Sequence, residues 1–235
     1  MEKTKEAVIK RTLRNDRAEL RVREAEGDVP SRTITGYAVL FNVPSEPLWS
    51  DEESEAREVI APSAITKELL DGCDIKFTMY HDRQLILGRS NHGTGTLSYF
   101  VDEKGVGFNL ELPQSPNGDE ALALVRRGDL SGCSFAFTTH YWDSDFVERK
   151  SEVVNGRSMI TYTVKGVTGV YDFTLAADPA YADTSVEARE LVTGLREAKE
   201  TQEPKPDTEK MREQVREMRR AAAQKIFYLL TQKFQ

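Results

Sequence analysis

Polar and apolar residues alternate along much of the first two thirds of the chain, the period of two that a half-buried strand shows. The pattern predicts strands over Glu19–Ala25, Arg32–Phe41, Glu58–Ala61, Asp74–His81 and Gln84–Gly88. The stretch Ala7–Leu13 joins them on its β-branched Val8, Ile9 and Thr12. Gly95–Val101 and Val106–Leu112 form a predicted hairpin around Asp102–Gly105. Cys133–Tyr141 and Thr168–Ala176 are further core strands, and Asp145–Val154 pairs with Ser158–Lys165 through Asn155-Gly156, a strong hairpin signal. Asn42–Ala56 is acidic and carries Pro44 and Pro47, so it reads as a loop. The spacing changes to three and four in Pro62–Asp71 and Gly118–Arg127, which predicts two helices closed by Gly72 and Gly128.

After Pro179 the pattern changes. Asp183–Arg196 has a helical spacing, Glu197–Thr208 is charged and has two prolines with almost nothing to bury, and an amphipathic helix follows through Phe234. Four segments result: 1–31 as N-terminal strands or arm, 32–196 as the main domain, 197–207 as a linker, and 208–235 as the C-terminal helix. Many strands with two interleaved helices lack βαβα alternation, so an α+β, mainly β class is expected, with an antiparallel-rich core and flanking helices.

The net charge of −7 over 235 residues argues against a general polyanion binder, so no nucleic-acid requirement is expected. No run of about 18 apolar residues exists, so no membrane-spanning helix is expected. Two cysteines and three histidines make neither a disulfide framework nor a zinc site, and no phosphate-binding glycine loop is present. No metal and no cofactor is expected.

Three side chains carry candidate chemistry. Ser134 lies in Gly132-Cys-Ser-Phe-Ala-Phe137, where alternation places Phe135 and Phe137 on one face and the small Ser134, Ala136 and Thr138 on the other. A nucleophile needs such clearance, because a carbonyl carbon must come within about 3 Å of Oγ. His81 ends a strand and can serve as a general base to a hydroxyl. Asp172, in Val170-Tyr-Asp-Phe-Thr-Leu175, is expected on a face with Val170 and Thr174, away from Tyr171, Phe173 and Leu175. A carboxylate there needs a partner, and an imidazole would supply one. Asp178, before Pro179, competes for the third position. The His81-Asp82 dipeptide also resembles that of metal-dependent phosphohydrolases, while His92 and His140 read as solvated.

Five ordered pieces connect these residues: Gly36-Tyr-Ala-Val-Leu-Phe41, Ile60–Ile65, Tyr80-His-Asp82 with Leu87-Gly-Arg89, Gly128–Phe137, and Asp172–Thr184. Together the sequence from Arg32 to Arg189 resembles the HK97-type prohead serine proteases of tailed bacteriophages. The resemblance implies a herpesvirus assemblin-like fold with a β-barrel core. It implies a serine endopeptidase that processes scaffold and capsid protein, and probably itself, inside the immature capsid in the host cytoplasm. By motif it makes His81 the base, Ser134 the nucleophile and Asp172 the acidic third member. Here Ala136 stands where that family usually has Gly, and Asp172 where it commonly has Glu. The fold analogy places an oxyanion hole in the loop Ala176–Tyr181. The expected partners are the major capsid protein and its scaffold segment. The C-terminal helix suits docking on such a segment, or pairing with a copy of itself in a homo-oligomer. A different class of reading is a catalytically silent assembly protein that works through that helix.

Overall fold

The computed structural model describes residues 8–13, 18–24 and 30–177. All of them belong to the first of two units, Met1–Leu191. The expected helix at Asp183–Arg196, the linker, the C-terminal helix and Asp178 lie outside the described residues.

The described chain is mainly β, as expected. Its strands are β1 (Ile9–Leu13), β2 (Arg21–Val22), β3 (Thr33–Leu40), β4 (Trp49–Ser50) and β5 (Ser54–Ile60). Helix α1 (Lys67–Asp71) follows, then β6 (Asp74–Met79), β7 (Asp82–Asn91), β8 (Thr94–Gly95), β9 (Leu97–Val101) and β10 (Gly105–Glu111). Helix α2 (Pro116–Arg127) leads into β11 (Gly132–Thr138), β12 (Val147–Val154), β13 (Arg157–Val164) and β14 (Gly169–Ala176). They hydrogen-bond as three open sheets, ordered β1-β11-β14-β6-β7-β8, β2-β3-β10-β9 and β12-β13-β5-β4. "Barrel" is therefore a loose description, because no sheet closes on itself among the described residues.

Pairing is antiparallel except for β5 with β13 and β6 with β14. Both exceptions join strands far apart in sequence, which a period-two pattern cannot announce. The first two sheets meet over a phenylalanine core. The rings of Phe77 (β6) and Phe108 (β10) lie 4.7 Å apart, and those of Phe135 and Phe137 stack at 5.0 Å along β11. Phe173 is buried with them, and burying such a side chain stabilises the fold by roughly 2–3 kcal/mol.

Three expectations shift. The loop predicted over Asn42–Ala56 contains β4 and the start of β5, because Trp49 buries its ring and its indole N–H donates to Ser54 Oγ at 3.3 Å. The helix predicted from Pro62 begins only at Lys67. Ala64 N–H closes a turn on Ala61 O, and Thr66 Oγ1 caps Leu69 N–H at 3.2 Å. Helix α2 begins at Pro116, two residues early, because Ser115 accepts from Gly118 N–H and Pro suits the first turn. It ends at the left-handed Gly128 (φ 81°), as expected.

Candidate functional site

The site is assembled from three strands lying side by side, β11, β14 and β6, with β1 along the outer edge of β11. In the six-stranded sheet, Thr78 of β6, Thr174 of β14, Ser134 of β11 and Thr12 of β1 stand opposite one another in register. One residue along, Phe77, Phe173 and Phe135 form the matching row on the other face, in the core. The sheet is thus anchored by rings on one side and lined by the small hydroxyls of Thr78, Thr174 and Ser134 on the other, as alternation in β11 predicts.

His81 enters this row from the β6–β7 turn. Met79 pairs with Asp82, so Tyr80 and His81 are the two loop residues, each with φ 57°. Two consecutive left-handed residues are what a type I′ hairpin requires. For side chains with a Cβ they cost about 1–2 kcal/mol apiece. Two hydrogen bonds to β14 hold the turn: Tyr80 N–H donates to Leu175 O (3.1 Å) and His81 N–H to Thr174 Oγ1 (3.0 Å). At about 1 kcal/mol each they offset only part of that strain, and pairing of β6 with β14 fixes the rest.

The turn delivers the imidazole between two partners. His81 Nδ1 lies 2.7 Å from Asp172 Oδ2, and Nε2 lies 2.7 Å from Ser134 Oγ. An ionised carboxylate only accepts, so Nδ1 carries the proton and Nε2 presents its lone pair to the hydroxyl. Asp172 is fixed through its other oxygen, which accepts from Thr78 Oγ1 at 2.9 Å. Thr78 Oγ1 is also 2.9 Å from Thr174 Oγ1. The Thr78 hydroxyl is the donor of this row, facing both Asp172 Oδ1 and Thr174 Oγ1, while Thr174 Oγ1 accepts from His81 N–H and its own hydroxyl points to Leu175 O at 3.5 Å. The His81 and Asp172 side chains are 15% and 14% exposed, so this electrostatic line is only partly screened by water.

All three residues singled out in the sequence therefore meet. Asp172 shares the face of Thr174, as alternation expects, but Val170 stands opposite the core residue Phe137 and Tyr171 is out of step as well. β14 opposes Ala136 with Asp172 and Phe137 with Val170, so Tyr171 is the extra residue of a bulge. It is 38% exposed instead of sharing the core with Phe173, and its hydroxyl reaches Thr138 Oγ1 at 3.2 Å. Asp82 does not join His81; its carboxylate accepts from Gln84 N–H at 2.8 Å. His92 and His140 are exposed, and the His140 ring meets Phe146 edge-on. No cluster of three or more potential metal ligands occurs among the described residues. Cys133, beside Ser134, is no rival nucleophile, since complete burial pushes its thiol far above the ordinary range.

Sequence reasoning missed Thr78, Thr174 and the placement of the Ala7–Leu13 strand beside Ser134. The threonines look like ordinary β-branched strand residues, and only the register of a parallel pair brings them together. Ser134 is fully buried, and its Oγ also lies 2.8 Å from the backbone oxygen of Arg11 in β1.

With this geometry in place, the chain can be set beside known proteins. Residues 18–201 match the family described as caudovirus prohead serine protease. The chain belongs to that family. His81, Ser134 and Asp172 all fall inside the matched span of this prohead protease family, and β1 precedes it. Among solved structures, the bacteriophage T4 capsid assembly protease, gp21, is similar to this chain at 11% identity. The match covers 72% of this chain and 98% of that one with a TM-score of 0.37, too slight a likeness to carry an argument. No curated protein matches the sequence. Family membership makes a capsid-maturation peptidase the coarse functional class.

Proposed function

We propose that the chain is a serine endopeptidase that trims the major capsid protein and its scaffold segment inside the immature phage capsid, in the host cytoplasm. The observation that carries this reading is the unbroken line Asp172–His81–Ser134, with two contacts of 2.7 Å.

In this mechanism His81 Nε2 takes the Ser134 proton as Oγ attacks a peptide carbonyl carbon. The proton passes to the departing amine nitrogen, the C–N bond breaks, and an ester on Oγ remains. Water, deprotonated by the same nitrogen, cleaves the ester and returns the proton to Oγ. Asp172 holds the tautomer and balances the charge that forms on the ring. Thr78 and Thr174 are positioning residues, one for the carboxylate and one for the turn. The oxyanion donors are assigned to the loop Ala176–Tyr181, of which residues 178–181 lie outside the described residues. Self-cleavage in the linker 197–207 would release the C-terminal helix, the element suited to scaffold docking.

Co-expression with the capsid protein of the same virus tests this, comparing wild type with Ser134→Ala by intact mass. Capsid or scaffold chains shortened only by the wild type are the expected result, together with loss of residues 211–235 from the wild-type enzyme. Shortening that persists in Ser134→Ala would remove Ser134 from its role. No shortening by either would favour the silent assembly protein.

A further inference from the structure

β1 is the outer strand of the six-stranded sheet and runs antiparallel along β11, the strand that carries Ser134. An extended peptide reaches a strand-borne nucleophile most simply by adding itself at that edge, where main-chain hydrogen bonds hold it and alternate side chains are read. The edge is already filled. Thr12 stands opposite Ser134, and the Arg11 carbonyl oxygen is 2.8 Å from Oγ. Adding one C=O bond length puts the Arg11 carbonyl carbon within about 4 Å of Oγ, just outside an attack distance of about 3–3.5 Å. Ser134 is 0% exposed, so no second peptide reaches Oγ while β1 is in place.

The Arg11 side chain has a receptor of its own. Its guanidinium meets Glu58 of β5 through two contacts, Nε to Oε1 at 2.7 Å and Nη2 to Oε2 at 3.0 Å. Nη2 also lies 3.3 Å from the Tyr141 hydroxyl, and Nη1 donates to Lys10 O at 3.0 Å. The Glu58 side chain is 1% exposed. A carboxylate that deep is costly without a cation, and the two-pronged geometry fits a guanidinium best. Ile9, two residues earlier, is buried opposite Phe137, while Lys10 between them faces solvent.

We propose that β1 is a built-in pseudosubstrate, that peptide substrates bind in its place along β11, and that Glu58 with Tyr141 selects an arginine immediately before the bond to be cut. This rests on the serine endopeptidase reading. The preferred substrate class that follows is an extended peptide with arginine on the amino side of the scissile bond and an aliphatic residue two positions earlier, the residue between them being unrestricted. The linker 197–207 has no arginine, so self-cleavage there is the slower, non-preferred reaction. β1 resists cleavage because its carbonyl oxygen, not its carbon, faces Oγ. That oxygen also competes with His81 for the one hydroxyl proton. Displacement of β1 therefore opens the enzyme, which keeps a protease silent until its substrates are gathered around it.

The test compares three chains: wild type, full-length Arg11→Ala, and a chain lacking residues 1–13. A fluorophosphonate probe reports access to Ser134, with Ser134→Ala as the blank. Arg11→Ala and the truncated chain are expected to label at least about tenfold faster than wild type, because the open population rises. An internally quenched peptide spanning Ala7–Arg14 is expected to be cut by Arg11→Ala between Arg and Thr. It should be cut at least about tenfold faster than the same peptide with leucine for arginine, and adding Glu58→Gln should bring that ratio near unity. Equal labelling of all three chains would overturn the pseudosubstrate. Labelling that rises without any preference for arginine would overturn the pocket. If no chain labels and no peptide is cut, the endopeptidase reading itself falls, and this inference falls with it.

Discussion

Two hairpins of this molecule turn in the same way with opposite chemistry. Between β12 and β13 the turn residues are Asn155 and Gly156, with φ 53° and 81°. Between β6 and β7 they are Tyr80 and His81, both at 57°. The first pair is what a left-handed turn favours, since Gly has no Cβ and Asn tolerates the region. The second puts two bulky side chains where they are strained, and Tyr80 remains 52% exposed. The Asn-Gly turn is stable on its own terms and carries no candidate chemistry. The Tyr-His turn is held in place by β14 and presents an imidazole to Ser134 and Asp172. Local sequence is thus compatible with its backbone where only folding is at stake, and strained where a side chain must be aimed.

The comparison breaks most sharply on activity. His81→Ala is expected to lower kcat/KM on a peptide substrate by about 10⁴-fold or more, while Asn155→Ala leaves it within about twofold. Measuring both in one assay shows whether the strained turn is the functional one. Asp172→Asn is expected to cost about 10³–10⁴-fold, because an amide that donates to Nδ1 favours the wrong tautomer. An unchanged rate would return the third position to Asp178.

Thr174→Val sharpens the comparison at the level of support. It removes the acceptor of His81 N–H from a buried position, so stability should fall by roughly 1–3 kcal/mol in denaturant unfolding. Activity should fall about tenfold through displacement of the ring, with kcat carrying more of the loss than KM. Relieving strain should act in the other direction. Tyr80→Gly is expected to stabilise the fold by about 0.5–1 kcal/mol, and Gly156→Ala to destabilise it by at least as much. Equal shifts of one sign in thermal melts would mean the two turns do not differ as described.

The smallest effect concerns acid. Arg89, which hydrogen-bonds through Nε and Nη2, and then Lys76 hold the Asp74 carboxylate well below its ordinary value of 3.8. This cluster clamps β6 to β7 at the end away from His81. A depressed carboxylate contributes stability above its unfolded value and loses it as pH falls toward its folded one. The Tm gap between wild type and Asp74→Asn should therefore be constant near neutrality and shrink below about pH 4. The β12–β13 hairpin gives no such signature at its turn, where neither Asn155 nor Gly156 titrates.

Much of the site was legible locally. In β11 the spacing of Phe135 and Phe137 against Ser134, Ala136 and Thr138 reads directly as a ring-anchored strand with a small-residue face. A histidine at the end of an apolar strand is visible in the same way. Tyr171 was misplaced because a bulge adds a residue without changing composition. The start of β5 was missed because its burial comes from Trp49 and from β13, not from its own alternation.

By itself, then, the sequence determined most of the strand-forming segments outside Asn42–Ala56, where Asn155-Gly156 and Gly128 end them or their neighbouring helix, and a short set of candidate polar side chains, Ser134, His81 and Asp172 with Asp178 as a rival. These follow from backbone preferences and burial patterns that act within a few residues. Tertiary structure alone decided that Thr78, Thr174, Ser134 and Thr12 share one row, that Tyr80 and His81 accept a strained turn, and that Arg11 crosses 47 positions of sequence to reach Glu58. Parallel pairing and edge addition are contacts between distant segments, and their register is set by the shared core, not by any one strand's own pattern.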